Sequence, residues 1–228
     1  TQNGLFYTLG KDISRYKPLP AKGQSSNAIL LVEGKLILSG TNSSLHYNGS
    51  NQVLQKFIND ASPLITDYIQ TKANAYIATY NYGLYVLNTK NTLDHILPNR
   101  KIMDLMLDSD SNLWIGTQVH GVYKYDLQSK NMENFTTSDG LANDHIRSIK
   151  QDTWGNVWIG TSGGGVSRYS GSQFLHYNRA SGLNGNYIYS VLNDSRNNLW
   201  VGTSGLGIYR RNDTLEIVYN QKNGFVNS

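Results

Sequence analysis

The chain has 228 residues, a formal net charge of +4, 16% charged residues and no cysteine. Its length suits one domain of the all-β kind. No thiol or disulfide chemistry is available, the basic residues are too scattered for a nucleic-acid stripe, and no apolar run approaches the roughly 20 residues of a membrane helix.

Taken in chain order, the predicted elements are all strands. Thr1 followed by Gly4-Leu5-Phe6-Tyr7 reads as the end of a second strand and the start of a third, so 1–25 is an incomplete first repeat. Ile37-Leu38-Ser39-Gly40-Thr41 and Tyr76-Ile77-Ala78-Thr79 are second strands of the next two repeats. Trp114-Ile115-Gly116-Thr117, Trp158-Ile159-Gly160-Thr161 and Trp200-Val201-Gly202-Thr203 are clearer copies. The threonines stand at 41, 79, 117, 161 and 203, intervals of 38, 38, 44 and 42 residues. The clearest repeat runs through strands 146–151, 157–161, 166–170 and 173–178, with turns at 152–156, 163–165 and 171–172. Gly224-Phe225-Val226-Asn227-Ser228 resembles the entry to a further first strand. The span 1–228 is therefore expected to be a single propeller segment of about five and a half blades, cut from a longer protein without regard to blade boundaries.

Repeats of about forty residues with four short strands cannot bury both faces alone; they do so by radial stacking into a β-propeller. The expected fold is all-β, with four-stranded antiparallel blades in a partial or irregularly closed ring. The recurring Trp residues are expected as wedges between blades. Pro18, Pro20, Pro63 and Pro98 all fall between fourth and first strands, where they interrupt no ladder. Asp108, Asp152 and Asp194 recur at the turn after the first strand, where a carboxylate caps loop amides; a catalytic acid would not be copied in three blades.

No nucleophile elbow, metal-spaced histidine pair or phosphate loop stands out. Gly163-Gly164-Gly165 and Gly205-Leu206-Gly207 join strand to strand, so hairpin turns are the expected role. His46, His95, His120, His145 and His176 are unpaired in sequence; His120 and His145 lie in loops. Function is expected on the loop face, where second-to-third and fourth-to-first connections emerge together. Those loops supply Tyr80, Tyr82, Arg100, Gln118, His120, Asn143, His145, Asn186 and Tyr187 as candidate ligand-binding residues. Aromatic rings with amides and an Arg suit a polar ring-shaped ligand such as a sugar. No catalytic residue, metal ligand or cofactor is expected.

The unit Asp152 to Thr161, then Gly165 to Tyr169, with Asp139-Gly140-Leu141 before the first strand, resembles the two-component regulator propeller repeat. Asp194 to Thr203 and Asp108 to Thr117 are further copies, while the two upstream repeats lack the Trp. The resemblance implies the periplasmic sensor region of a Bacteroidetes-type hybrid histidine kinase or related regulator, non-catalytic in itself. It implies an oligosaccharide or other small-molecule ligand, a homodimer of the intact protein, and a membrane anchor and output module outside this segment. More distantly the repeat resembles the propeller lyases that open streptogramin rings. An extracellular lyase or glycan-active enzyme and a protein-interaction scaffold are the competing readings.

Overall fold

The computed structural model describes strand backbones between residues 6 and 53, then residues 65–219 apart from 89–91, 184, 197, 205–206 and 212–215. The expected first strand at 224–228, the residues 1–5, Thr41, Pro18, Pro20, Pro63, Gly205 and Leu206 lie outside the described residues. The chain divides into two compact units, Thr1–Thr66 and Asp67–Ser228.

In the first unit, β1 (Phe6–Leu9) and β2 (Asp12–Arg15) form an antiparallel pair. They occupy the places predicted for the third and fourth strands of the incomplete repeat. β3 (Ser26–Val32), β4 (Lys35–Gly40), β5 (Ser43–Asn48) and β6 (Gln52–Val53) form a four-stranded antiparallel sheet.

The second unit holds four such sheets among the described residues. The first comprises β7 (Ile65–Gln70), β8 (Asn74–Thr79), β9 (Gly83–Asn88) and β10 (Leu93–Ile96). The second comprises β11 (Ile102–Leu107), β12 (Asn112–Thr117), β13 (Val122–Asp126) and β14 (Met132–Phe135). The third comprises β15 (Ile146–Gln151), β16 (Val157–Thr161), β17 (Val166–Tyr169) and β18 (Phe174–Tyr177). The fourth comprises β19 (Ile188–Asn193), β20 (Leu199–Thr203), β21 (Gly207–Arg211) and β22 (Glu216–Tyr219). Each sheet is a meander in chain order. The first strands of successive sheets lie side by side, β11 against β15 and β15 against β19. These are the blades of a β-propeller segment.

The core lies between blades, as the wedge argument requires. Trp114 is 1% exposed and packs with Leu141, Ile146, Ile149, Val157 and Ile159 of the next blade. Trp158 is buried likewise against Ile188, Val191, Leu199 and Val201. Glycine in the Trp-Ile-Gly-Thr unit has a packing reason. A Cβ on Gly116 would come within 2.6 Å of Ile146 Cγ2, and one on Gly160 within 2.7 Å of Ile188 Cγ2.

Buried polar atoms are satisfied by two devices repeated blade to blade. The Asp after β11, β15 and β19 accepts amides at i+2 and i+4 through Oδ1, for Asp152 from Trp154 at 3.0 Å and Asn156 at 2.8 Å. Its Oδ2 accepts the indole N–H six residues on: Trp114 to Asp108 at 2.7 Å, Trp158 to Asp152 and Trp200 to Asp194 at 2.8 Å. A buried indole needs such an acceptor. At Asp194 this bond, with the amides it caps, holds the carboxyl down at about 2. The Thr closing each second strand donates Oγ1–H to the carbonyl four residues on, 2.7 Å for Thr79 and 2.8 Å for Thr117, Thr161 and Thr203. The loop glycine that receives it, Gly121 or Gly165, has φ of +70° or +83°. A Cβ there would meet the Phe135 or Tyr177 carbonyl at 2.1 or 2.2 Å.

Two short 3-10 turns, Thr137–Asp139 and Arg179–Ser181, precede the last two first strands. Thr136 and Asp139 form a reciprocal cap, Gly140 closes the turn at φ 94°, and Leu141 drops into the core. That is the physical content of the Asp-Gly-Leu signature: a capped turn, a left-handed exit and an anchor.

Candidate functional site

The second-to-third-strand loops and the entries to first strands meet at one end of the blades. Gln118 N–H donates to Lys101 O, Ser162 N–H to His145 O and Ser204 N–H to Tyr187 O, each at 2.9 Å. These bonds extend the first and second strands beyond their last ladder pair. Each loop also reaches the next blade: Gly121 N–H donates to Asp144 O at 3.0 Å, and Gly165 N–H to Asn186 O at 2.9 Å. The Gly163–Gly165 turn sits so close that a Cβ on Gly164 would be 2.5 Å from Ala142 O.

The backbone therefore creates two rows of equivalent positions. The residue after the second-strand Thr is Tyr80, Gln118, Ser162 and Ser204 in successive blades. The residue before the first-strand Ile is Lys101, His145 and Tyr187. The backbone bonds repeat while the side chains differ in size, charge and hydrogen-bonding type.

Most of the candidates read from sequence fall into two groups. In the first, Tyr80 donates its hydroxyl to Gln118 Oε1 at 3.4 Å across a blade junction. The Lys101 ammonium lies 5.0 Å from the Tyr80 ring centre. Arg100 Nε–H reaches Tyr123 Oη at 3.4 Å. His120 is placed by its amide bond to Thr117 Oγ1 at 2.9 Å. Partial burial and the Arg100 charge hold its imidazole below the usual histidine range, against an opposing pull from Asp144. In the second group, Asn143 Oδ1 accepts the His145 amide at 2.8 Å. Tyr187, 61% exposed, is bridged to Ser162 and borders the Gly163 turn. Asn186 serves structure, accepting Arg179 N–H through Oδ1 at 3.0 Å and two glycine amides through its carbonyl. Burial and then the Arg147 charge lower the His145 imidazole, and its Nε2 is buried with no hydrogen-bond partner.

Tyr82 joins neither group: its amide donates to Thr79 Oγ1 at 3.1 Å, and its carbonyl faces His95 Nε2 of its own sheet. His95 stacks on Tyr85 with centroids 4.2 Å apart, while exposed His176 pairs with Ser167 Oγ at 3.3 Å. Lys101 was missed in the sequence. Aligning the residue before each first-strand Ile would have found it, since it occupies the same place as His145 and Tyr187.

Both loop imidazoles are shifted toward the neutral form, in which one ring nitrogen donates and the other accepts. With the Tyr80 and Tyr187 rings and the Gln118 and Asn143 amides, the surface can stack against a ring and exchange hydrogen bonds with hydroxyls. Among the described residues, no group of three His, Cys, Asp or Glu side chains converges to hold a metal ion. No described helix is long and apolar enough to cross a membrane.

Comparison with known proteins bears on these repeats directly. The family model described as two component regulator propeller matches residues 96–118, 140–163 and 182–205. No curated protein matches. The extracellular domain of a putative hybrid two component system from B. thetaiotaomicron is similar, with a TM-score of 0.78 at 23% identity over 98% of this chain and 31% of that one. The extracellular domain of a putative one component system from the same organism gives 0.67 at 23% identity, over 84% and 27%. Virginiamycin B lyase from Staphylococcus aureus gives 0.70 at 12% identity, over 96% and 77%. The chain thus spans less than a third of each of the first two structures. Each matched stretch runs from ahead of a first strand through the Gly-Thr that closes the second, and these three stretches are similar to the two component regulator propeller repeat.

Proposed function

We propose that this chain is part of the extracytoplasmic sensor region of a two-component signalling protein, non-catalytic in itself, and that its loop face binds a saccharide or a chemically similar small molecule. The reading is carried by the two rows of loop positions, where an invariant backbone presents variable side chains. A rigid scaffold with variable loops is the usual arrangement of a recognition surface. The propeller-repeat match supports the signalling context, and the likeness to extracellular domains supports a periplasmic or extracellular setting. Tyr187, Tyr80 and Lys101 supply stacking surface and charge, while His145 and Asn143 supply hydrogen bonds. Ligand binding would act by differential affinity for two conformations of the intact protein.

A thermal-shift screen against neutral and acidic oligosaccharides tests this reading. A binder present at about 100 times its Kd adds roughly 2.7 kcal/mol to folding stability. We expect a rise in Tm with at least one saccharide, lost in Tyr187→Ala or in His145→Ala. Turnover of the binder, seen as a product by mass spectrometry, would favour the lyase-like enzyme instead.

A further inference from the structure

We infer that Asp67 and Asp104 form a proton-operated clasp between the first two blades of the second unit, in which one shared proton holds the two first strands together and its loss loosens their junction. Both residues stand third in their strands, in the place filled by Ser148 and Ser190 in the next two blades. The side chain at this place reaches forward to the following first strand. Asp67 Oδ2 accepts Leu105 N–H at 2.7 Å, Asp104 Oδ2 accepts Ile149 N–H at 2.6 Å, and Ser148 Oγ accepts Val191 N–H at 3.2 Å. Asp67 Oδ1 also takes the Tyr68 amide at 2.8 Å.

The Asp67 carboxylate, seated 2.7 Å from the amide that follows Asp104, adjoins the Asp104 carboxyl. Ionised carboxylates have only acceptors, so such a contact requires a proton on one of them. Among the described residues the charged groups on the neighbouring strands are few. β7 offers Asp67 and Tyr68, whose hydroxyl bonds to Gln70 Oε1. β8 offers Tyr76, whose hydroxyl accepts from Asn74. β12 has no titratable side chain. β15 offers Arg147, which sits beside His145, and Lys150, whose charge favours the ionised form of Asp104. Burial outweighs Lys150 and, with the Asp67 charge, pushes Asp104 up to about 7. The folded state therefore holds a proton that the unfolded chain releases near pH 4. Stability from this pair is complete below that pH and is lost as pH rises through about 7. The same blade junction carries the Tyr80–Gln118 contact, so loss of the proton would reach the loop face.

Thermal unfolding of the chain is followed between about pH 5 and pH 8.5, a window that brackets the titration. Asp104→Asn keeps an oxygen for Ile149 N–H and an amide to donate to Asp67, but cannot titrate. Asp104→Ser copies the junction that Ser148 makes. We expect the wild-type Tm to fall across this range and the slope to flatten in both variants. Equal slopes in wild type and a folded variant would overturn the clasp. Carboxyl carbon NMR of the wild type decides the matter even if neither variant folds. A titration midpoint for Asp104 near 7 supports the clasp, and one near the ordinary value of about 4 refutes it.

Discussion

At the scale of single residues, Trp158 and Asp152 act as a pair. The indole fills the space between blades and its N–H would be an unsatisfied buried donor without the carboxylate 2.8 Å away. Trp158→Ala should cost about 3–5 kcal/mol as a buried aromatic truncation. Asp152→Ala should cost about 2 kcal/mol, since it orphans the indole and uncaps two amides. In the double variant the costs should add to less than their sum, because Asp152 has then lost one of its partners. Denaturant titration of the four proteins measures this; strict additivity would mean that the indole bond contributes nothing. The sequence showed both residues as recurring, and read Asp as a turn former and Trp as a wedge. Their bond was visible only as a constant six-residue spacing, which has no meaning until the hairpin folds the two side chains to the same edge.

At the scale of strands and turns, the predicted bounds match closely because each strand is closed by a residue with a local physical task. Strands 146–151 and 157–161 coincide with prediction, while the third strand of that blade ends one residue early, as Val166–Tyr169, and the fourth loses one residue at each end, as Phe174–Tyr177. The 3-10 turns escaped notice because three residues leave no periodicity. Their cap and left-handed glycine were legible only as a recurring tripeptide. Packing between elements gives the Gly-Thr unit its glycine. Gly160→Ala places a methyl against Ile188 and Val191 and should cost about 1–3 kcal/mol by overpacking. Among the described residues a Cβ at Gly202 meets only Ser190, with Oγ at 2.9 Å, a hydroxyl that can rotate away. Gly202→Ala should therefore be markedly cheaper. Equal losses in thermal unfolding would show that the backbone, not the neighbouring blade, demands glycine.

At the scale of the molecule, the repeat period announced the architecture, since four short strands per repeat have no other way to bury two faces. The candidate site was legible in its loops but not in its grouping. Tyr80 and Gln118 meet although 38 residues apart, and Lys101 joins them from a strand entry. Tyr82, adjacent in sequence, turns to its own sheet. Asp67 and Asp104 stayed hidden because a carboxylate in a first strand reads as an exposed strand residue until the next blade covers it. The account turns on the loop face as the recognition surface. Its most direct test is backbone hydrogen exchange with and without the saccharide that gives the largest thermal shift. Protection is predicted at 80–82, 118–121, 143–145 and 186–187, with the outer strands β14 and β18 unchanged. Protection confined to the outer strands, or exchange unaltered by every saccharide, would contradict the account.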